Sequence, residues 1–310
     1  MRWCLLVAVV VGGCGDGPRP GPADRSRPSL DAAALAAVAA RPEVVALDGD
    51  IALICSEAAA GTDVDAAAGD CDAAVVDGHG AITALGRGGL LAAGRVDADR
   101  LALLTRDRTL LLRTGATEVI LGHDIADPRV AADRRAIAFT QLPAGAGIEP
   151  STTGRLVVLD LDRGTRRVVS DHPLDSAPFL RPGTDDVLFV SGRTGVASLY
   201  LARPGQPPRQ LTNVGAREVG PGFVPVPGRD LVWTDDGRVA VYTATYDGVA
   251  TLWALDVDRA AATPLGAGRW PHLTADAVIA IDTATAAPIA RTFAVTAIDD
   301  RLAATIGGAR

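Results

Sequence analysis

The chain contains no lysine, so all thirty of its basic residues are arginine. A GC-rich coding bias accounts for that. Aromatic residues make up only 4% of a sequence that is 48% hydrophobic, so any core must be built mainly from Val, Leu, Ile and Ala. A net charge of −7, with signs alternating along the chain, excludes the concentrated basic surface that nucleic acid requires. No G-x-S-x-G elbow occurs, and no glycine-rich phosphate loop follows a strand and opens a helix. The longest early apolar stretch, from Trp3 to Val11, is too short to span a bilayer as a helix.

That stretch reads instead as an export signal. Met1 and Arg2 form a short positive start, the apolar run follows, and Gly12 and Gly13 are small residues ahead of Cys14. Val11-Gly12-Gly13-Cys14 resembles a bacterial lipobox, which implies cleavage before Cys14 and lipid attachment there. Residues 1–13 are then a signal peptide. Residues 14–41 comprise the lipidated cysteine, a Pro- and Gly-rich tether, and a short packing helix from Ser29 to Arg41 with Ser29 as its cap. Leu30, Leu35 and Val38 share one face of that helix. Export also means an oxidising compartment, so Cys55 and Cys71 are expected to form a disulfide. Two cysteines without a nearby histidine pair do not supply a zinc site.

From residue 42 to 310 a short strand, a polar turn, a hydrophobic strand, another strand and a short return strand recur six times. Counting from the last residue of each first strand, the copies anchor at Val45, Val96, Val130, Leu180, Trp233 and Leu273. Second strands follow at 51–55, 101–105, 136–140, 187–191, 239–243 and 278–282. All-β repetition at this period predicts a six-bladed β-propeller of four-stranded antiparallel blades. Asp and Gly in the turns supply side-chain caps and positive φ for tight hairpins.

The repeat also resembles the TolB-like propeller family, with its P-x-W, S-P-D-G, I-A-F, I-Y-V and L-T succession. Pro178, Pro182, Gly183, Val187, Phe189, Ser191, Gly195, Leu199, Tyr200, Leu211 and Thr212 carry one copy. Trp233, Asp235, Asp236, Gly237, Val241, Gly248, Leu252, Trp253, Asp256 and Leu265 carry another. The resemblance covers roughly residues 42 to 305 and implies a propeller of the bacterial envelope. TolB has an additional α/β domain before its propeller, and the stretch ahead of residue 42 has no room for one.

In an antiparallel blade the links between strands two and three, and those between blades, emerge on one face. The long insertions 56–70, 141–153 and 213–230 all fall there, and long loops on a rigid scaffold are where binding concentrates. The same face receives His123, Asp124, Asp171, His172 and Asp175, and His272 is expected to begin a channel-lining strand near that mouth. One reading makes these six a ligand-binding face at the channel entrance, or a metal or carbohydrate site. The other makes them turn-capping polarity. His79 lies in a hairpin of the opposite face and is read as a turn residue.

Two functions follow. The first is a monomeric, membrane-tethered lipoprotein whose propeller binds an envelope protein or serves as a scaffold packed against its neighbours, without catalysis and without a cofactor. The alternative is a lyase or hydrolase acting on polysaccharide at the channel mouth, by analogy of fold alone. The partner, the membrane leaflet and the way the ring closes are left open.

Overall fold

Five sheets of four antiparallel strands and one of three follow one another along the chain. The structure, a computed structural model, describes residues 30–55, 71–131, 135–145, 154–195, 197–212, 230–246, 249–285 and 287–308. Cys14, the signal segment, the tether, Ser29 and most of the three insertions lie outside the described residues. Blade 1 is β1 (Val44–Asp48), β2 (Ile51–Cys55), β3 (Cys71–Val76) and β4 (Ile82–Ala84). Blade 2 is β5 (Leu90–Arg95), β6 (Arg100–Thr105), β7 (Leu110–Thr114) and β8 (Thr117–Gly122). Blade 3 is β9 (Ile125–Val130), β10 (Ala136–Gln141), β11 (Arg155–Asp160) and β12 (Arg166–Ser170). Blade 4 is β13 (Asp175–Leu180), β14 (Val187–Ser191), β15 (Ser198–Ala202) and β16 (Arg209–Gln210). Blade 5 is β17 (Leu231–Trp233), β18 (Val239–Tyr246), β19 (Val249–Asp256) and β20 (Ala261–Ala267). Blade 6 is β21 (Arg269–Leu273), β22 (Ala277–Asp282) and β23 (Ile289–Ala294). Helix α1 (Ala32–Ala39) precedes the ring and α2 (Val295–Gly308) ends it.

The expected six blades are present, and strand order within each is sequential. Some expectations need correction. Among the described residues the sixth blade has three strands rather than four, because the segment after β23 turns into α2. Val45 lies inside β1, which continues to Asp48, and Val96 is the residue after β5.

The second strand of each blade is apolar along its length because both of its faces are covered. In β22, Val278 and Ala280 join the core shared with blade 5, while Ile279 and Ile281 join the core shared with blade 1. In β6, Leu101 and Leu103 face blade 1, and Ala102 and Leu104 face blade 3. Side chains on a strand alternate between faces, so a sheet packed on both sides needs apolar residues at every position. The result is a separate hydrophobic core at each seam between blades.

The seams on either side of the three-stranded blade are filled by helices. Leu30, Leu35 and Val38, all fully buried, wedge between Val44, Leu47 and Val76 of blade 1 and Trp270, Ile279 and Ile281 of blade 6. The α1 cap is Asp31 rather than Ser29: its Oδ1 accepts from the Ala34 N–H at 2.8 Å. On the other side Ile298 and Leu302 of α2 pack with Leu252 and Leu265 of blade 5 and Phe293 of blade 6. Among the described residues closure is therefore by packing of α1 across the seam, with no N-terminal strand joined to blade 6.

Most inner strands carry one extra residue. The bulges fall between Ser176 and Phe179 in β13 and between Arg269 and His272 in β21, and a third interrupts the β9–β10 ladder. At each of these three a left-handed residue precedes a proline: Asp127 (φ 48°), Ala177 (φ 48°) and Trp270 (φ 54°) stand before Pro128, Pro178 and Pro271. Such conformations cost about 1–3 kcal/mol each in non-glycine residues, and proline, which donates no hydrogen bond, fits a bulge.

Arginine forks tie the blades together on the face of the one-to-two turns. Arg181 of blade 4 donates to both carboxylate oxygens of Asp258 in blade 5, at 2.9 and 2.8 Å, and to the Gly237 carbonyl at 2.9 Å. Arg95 reaches from blade 2 to Asp50 of blade 1 at 2.7 Å. Arg238 bridges Asp256 of its own blade and Asp299 of α2. The bidentate bond from Arg181 holds the Asp258 carboxyl below the usual carboxylate range.

The disulfide is formed by Cys55 and Cys71, directly opposed on β2 and β3 and buried in the core between blades 1 and 2. Replacing both cysteines by alanine is expected to lower unfolding free energy by about 3 kcal/mol through the loop it closes, read from urea titration. Leu35→Ala should cost a similar amount, about 2–5 kcal/mol, in the same titration. A carboxyl depressed in the folded state contributes stability above its unfolded value, near about 3.9, and that contribution is lost as pH falls further. Stability should therefore drop below about pH 4, and Arg181→Lys should flatten this acid limb while lowering the neutral-pH midpoint, because an ammonium cannot span the three acceptors.

Candidate functional site

The antiparallel order sends the strand-two to strand-three links and the blade-to-blade links out of one face. The connections containing 56–70, 146–153 and 213–229 all leave from it. His123 and Asp124 link blades 2 and 3, and Asp171, His172 and Asp175 link blades 3 and 4, so five of the six nominated residues do lie on this face. His272 does not. It is the fourth residue of β21, paired with Ile279 and 6% exposed, toward the opposite end of the channel. The inner strand runs away from the loop-rich face, so a residue late in the strand lies far from that mouth.

The five form two separate arrangements. In the first, the Gln141 side chain donates to the backbone carbonyls of His123 at 2.8 Å and Asp124 at 3.1 Å. The Leu142 N–H also reaches the Asp124 carbonyl at 2.7 Å. Asp124 is left-handed, with φ 55°. His123 Nδ1 lies 3.0 Å from the hydroxyl of buried Thr109, and that hydroxyl lies 3.1 Å from Asp107. Thr105 also donates to Asp107. This bond from Thr105 holds the Asp107 carboxyl below the usual range against the cost of burial, and Thr109 adds to the effect.

The second arrangement centres on Asp175, which is wholly buried at the start of β13. Arg193 donates to its Oδ2 at 2.6 Å and to the hydroxyls of Ser191 at 2.9 Å and Ser170 at 3.3 Å. The guanidinium lies over the rings of Tyr200, at 4.9 Å, and Phe189, at 5.5 Å. His172 accepts the Leu174 N–H at its Nδ1, at 3.2 Å, and that nitrogen is 3.7 Å from Asp175 Oδ1. Paired, solvated on one side and stacked on the other, Arg193 can fix the blade 3–blade 4 link in place. Sequence reasoning named Asp175 but missed Arg193, whose aromatic partners lie on neighbouring strands. Asp171 is exposed.

Among the described residues no three His, Cys, Asp or Glu side chains come together as a set of metal ligands. At the same mouth Arg269 stacks on Trp270 at 4.2 Å, and burial lowers its affinity for its proton, against the opposing pull of Asp230. On the other face His79 is the turn residue expected, with Asp77 Oδ1 accepting its N–H at 2.9 Å and that of Ala81 at 2.8 Å. No helix among the described residues is long and apolar enough to cross a membrane.

No family model matches the sequence, and no curated protein matches it. Solved structures do resemble the fold. TolB from Acinetobacter baumannii superposes with a TM-score of 0.53 at 13% identity, over 75% of this chain and 59% of that one. This chain thus spans about three fifths of the length of that TolB. A putative TolB from Agrobacterium tumefaciens gives 0.50 at 15% identity, over 80% and 87% of the two chains. The tricorn protease gives 0.51 at 12% identity, over 83% of this chain and 29% of that one. The fold therefore occurs both in TolB and inside a larger protease, and does not by itself choose between binding and catalysis. Repeat pattern, blade count and superposition agree that this chain carries a TolB-like β-propeller.

Proposed function

We propose that this chain is a bacterial envelope lipoprotein, anchored through Cys14, whose propeller recognises another envelope protein without catalysing a reaction. The observation that carries this reading is the asymmetry of the two faces. One face is closed by short turns and arginine–carboxylate bonds, whereas every long connection leaves from the other. A rigid ring that concentrates its long loops on one side is built to present a surface. The side chains of His123, His172 and Asp175 on that face are engaged in fixing loops, which suits recognition by shape and hydrogen bonding. The lipobox resemblance at Val11–Cys14 and the Pro-rich stretch behind it support a tether, which raises local concentration at the membrane.

The test is a crosslinking pull-down from native envelopes with the lipidated protein and with a variant shortened in loop 213–230. A discrete protein captured by the first and lost with the second, at unchanged melting temperature, is the expected result. Capture of nothing by the parent protein would sink the reading. Cys14→Ser is expected to move the protein from the membrane to the soluble fraction, and unchanged fractionation would remove the anchor from the proposal.

A further inference from the structure

The hydrogen-bonded chain Asp107–Thr109–His123 fixes more than the position of a loop. A threonine hydroxyl has one hydrogen to donate. The Thr109 hydroxyl has two candidate acceptors, Asp107 Oδ2 at 3.1 Å and His123 Nδ1 at 3.0 Å. Asp107 also accepts from Thr105 and is held ionised by that bond. A hydrogen bond to a charged carboxylate is roughly twice as strong as one between neutral groups, so Thr109 gives its hydrogen to Asp107. Its oxygen is then the acceptor facing His123, and the imidazole must carry its own hydrogen on Nδ1. In a neutral ring that leaves Nε2 with a bare lone pair.

His172 is the contrasting case on the same face. The Leu174 N–H points at its Nδ1 at 3.2 Å, so its ring hydrogen resides on Nε2. The two histidines thus display opposite polarities, an acceptor at His123 and a donor at His172.

The scaffold around His123 is more rigid than strand termination requires. Gln141 and the Leu142 N–H already take up the carbonyls of the turn, and Thr109, bonded to the ring at Nδ1, is buried. Asp124 keeps a left-handed backbone that costs free energy in a non-glycine residue. The ring itself is exposed. We propose that the relay locks His123 as the Nδ1–H tautomer, so that Nε2 is a fixed hydrogen-bond acceptor of the loop-rich face and receives an N–H or O–H of a bound polypeptide. The polypeptide identity rests on the recognition reading above; the tautomer rests on the geometry alone.

The first measurement is a long-range proton–nitrogen spectrum of histidine-labelled protein at about pH 9, where imidazoles are neutral. His123 should show Nδ1–H and His172 should show Nε2–H, serving as an internal reference. Thr109→Val should return His123 to Nε2–H while near-ultraviolet circular dichroism is unchanged. An Nε2–H ring in the parent protein, or no change in the variant, would overturn the relay. If Thr109→Val unfolds the ring, Asp107→Asn serves as the second variant, with the same expected reversal. The second measurement repeats the crosslinking with His123→Lys, which cannot accept, and His123→Gln, which can. Recovery of the partner should fall about tenfold with Lys, equivalent to about 1.4 kcal/mol, and less with Gln. A partner lost on shortening loop 213–230 but recovered equally with Lys overturns the docking role and leaves the recognition reading standing. No partner from the parent protein overturns both.

Discussion

Six sheets arranged around one axis leave wedge-shaped gaps that widen outward, and each gap has to be filled with side chains. Everything else in the molecule follows from that requirement. It makes each middle strand apolar on both faces, as in β6, β14 and β22, and it divides the core seam by seam, with two clusters between blades 3 and 4. With so few aromatic residues available, the four seams between four-stranded blades rely largely on leucine, valine and alanine. The three-stranded blade cannot fill its own gaps, and α1 and α2 enter on its two sides.

The absence of lysine takes on a structural meaning at the same seams. A guanidinium offers several donors in one plane, and Arg181, Arg95 and Arg238 each span groups that belong to two different elements. Stacking of Arg193 on Phe189 and Tyr200 and of Arg269 on Trp270 extends the same economy, with one side chain covering an aromatic face while it hydrogen-bonds elsewhere. With arginine in every position a lysine could hold, the propeller exploits what a guanidinium can do.

Two-sided burial is also why so much of the fold was legible. A strand covered on both faces reads as an unbroken apolar run, and the second strands at 51–55 and 187–191 match the structure residue for residue. Outer strands, covered on one face only, carry a weaker signal, and β16 is only two residues long. Helix α2 was missed because its apolar positions, Ile298 and Leu302, lie within a segment assigned to a sixth repeat of strands. The prolines two places before the anchors Val130, Leu180 and Leu273 marked the bulges, a regularity that only the left-handed residues before them make intelligible. The site was less legible. Loop polarity identified His123 and Asp175, but Thr109, Gln141 and Arg193 reach them across strands whose register the sequence does not display. The expectation for His272 failed because β21 starts at the loop-rich face and runs away from it, and His272 is its fourth residue.

The position of α1 has a mechanical consequence. Any tension that reaches the domain through its N-terminus is delivered to Leu30, Leu35 and Val38, which hold the seam between blades 1 and 6. The joints between blades 1 and 2 and between blades 4 and 5 are reinforced by arginine–carboxylate bonds and lie farther along the chain, so the load does not meet them first. Under pull from that end the ring would yield at a single joint and open like a clasp, with the other blades still attached to one another.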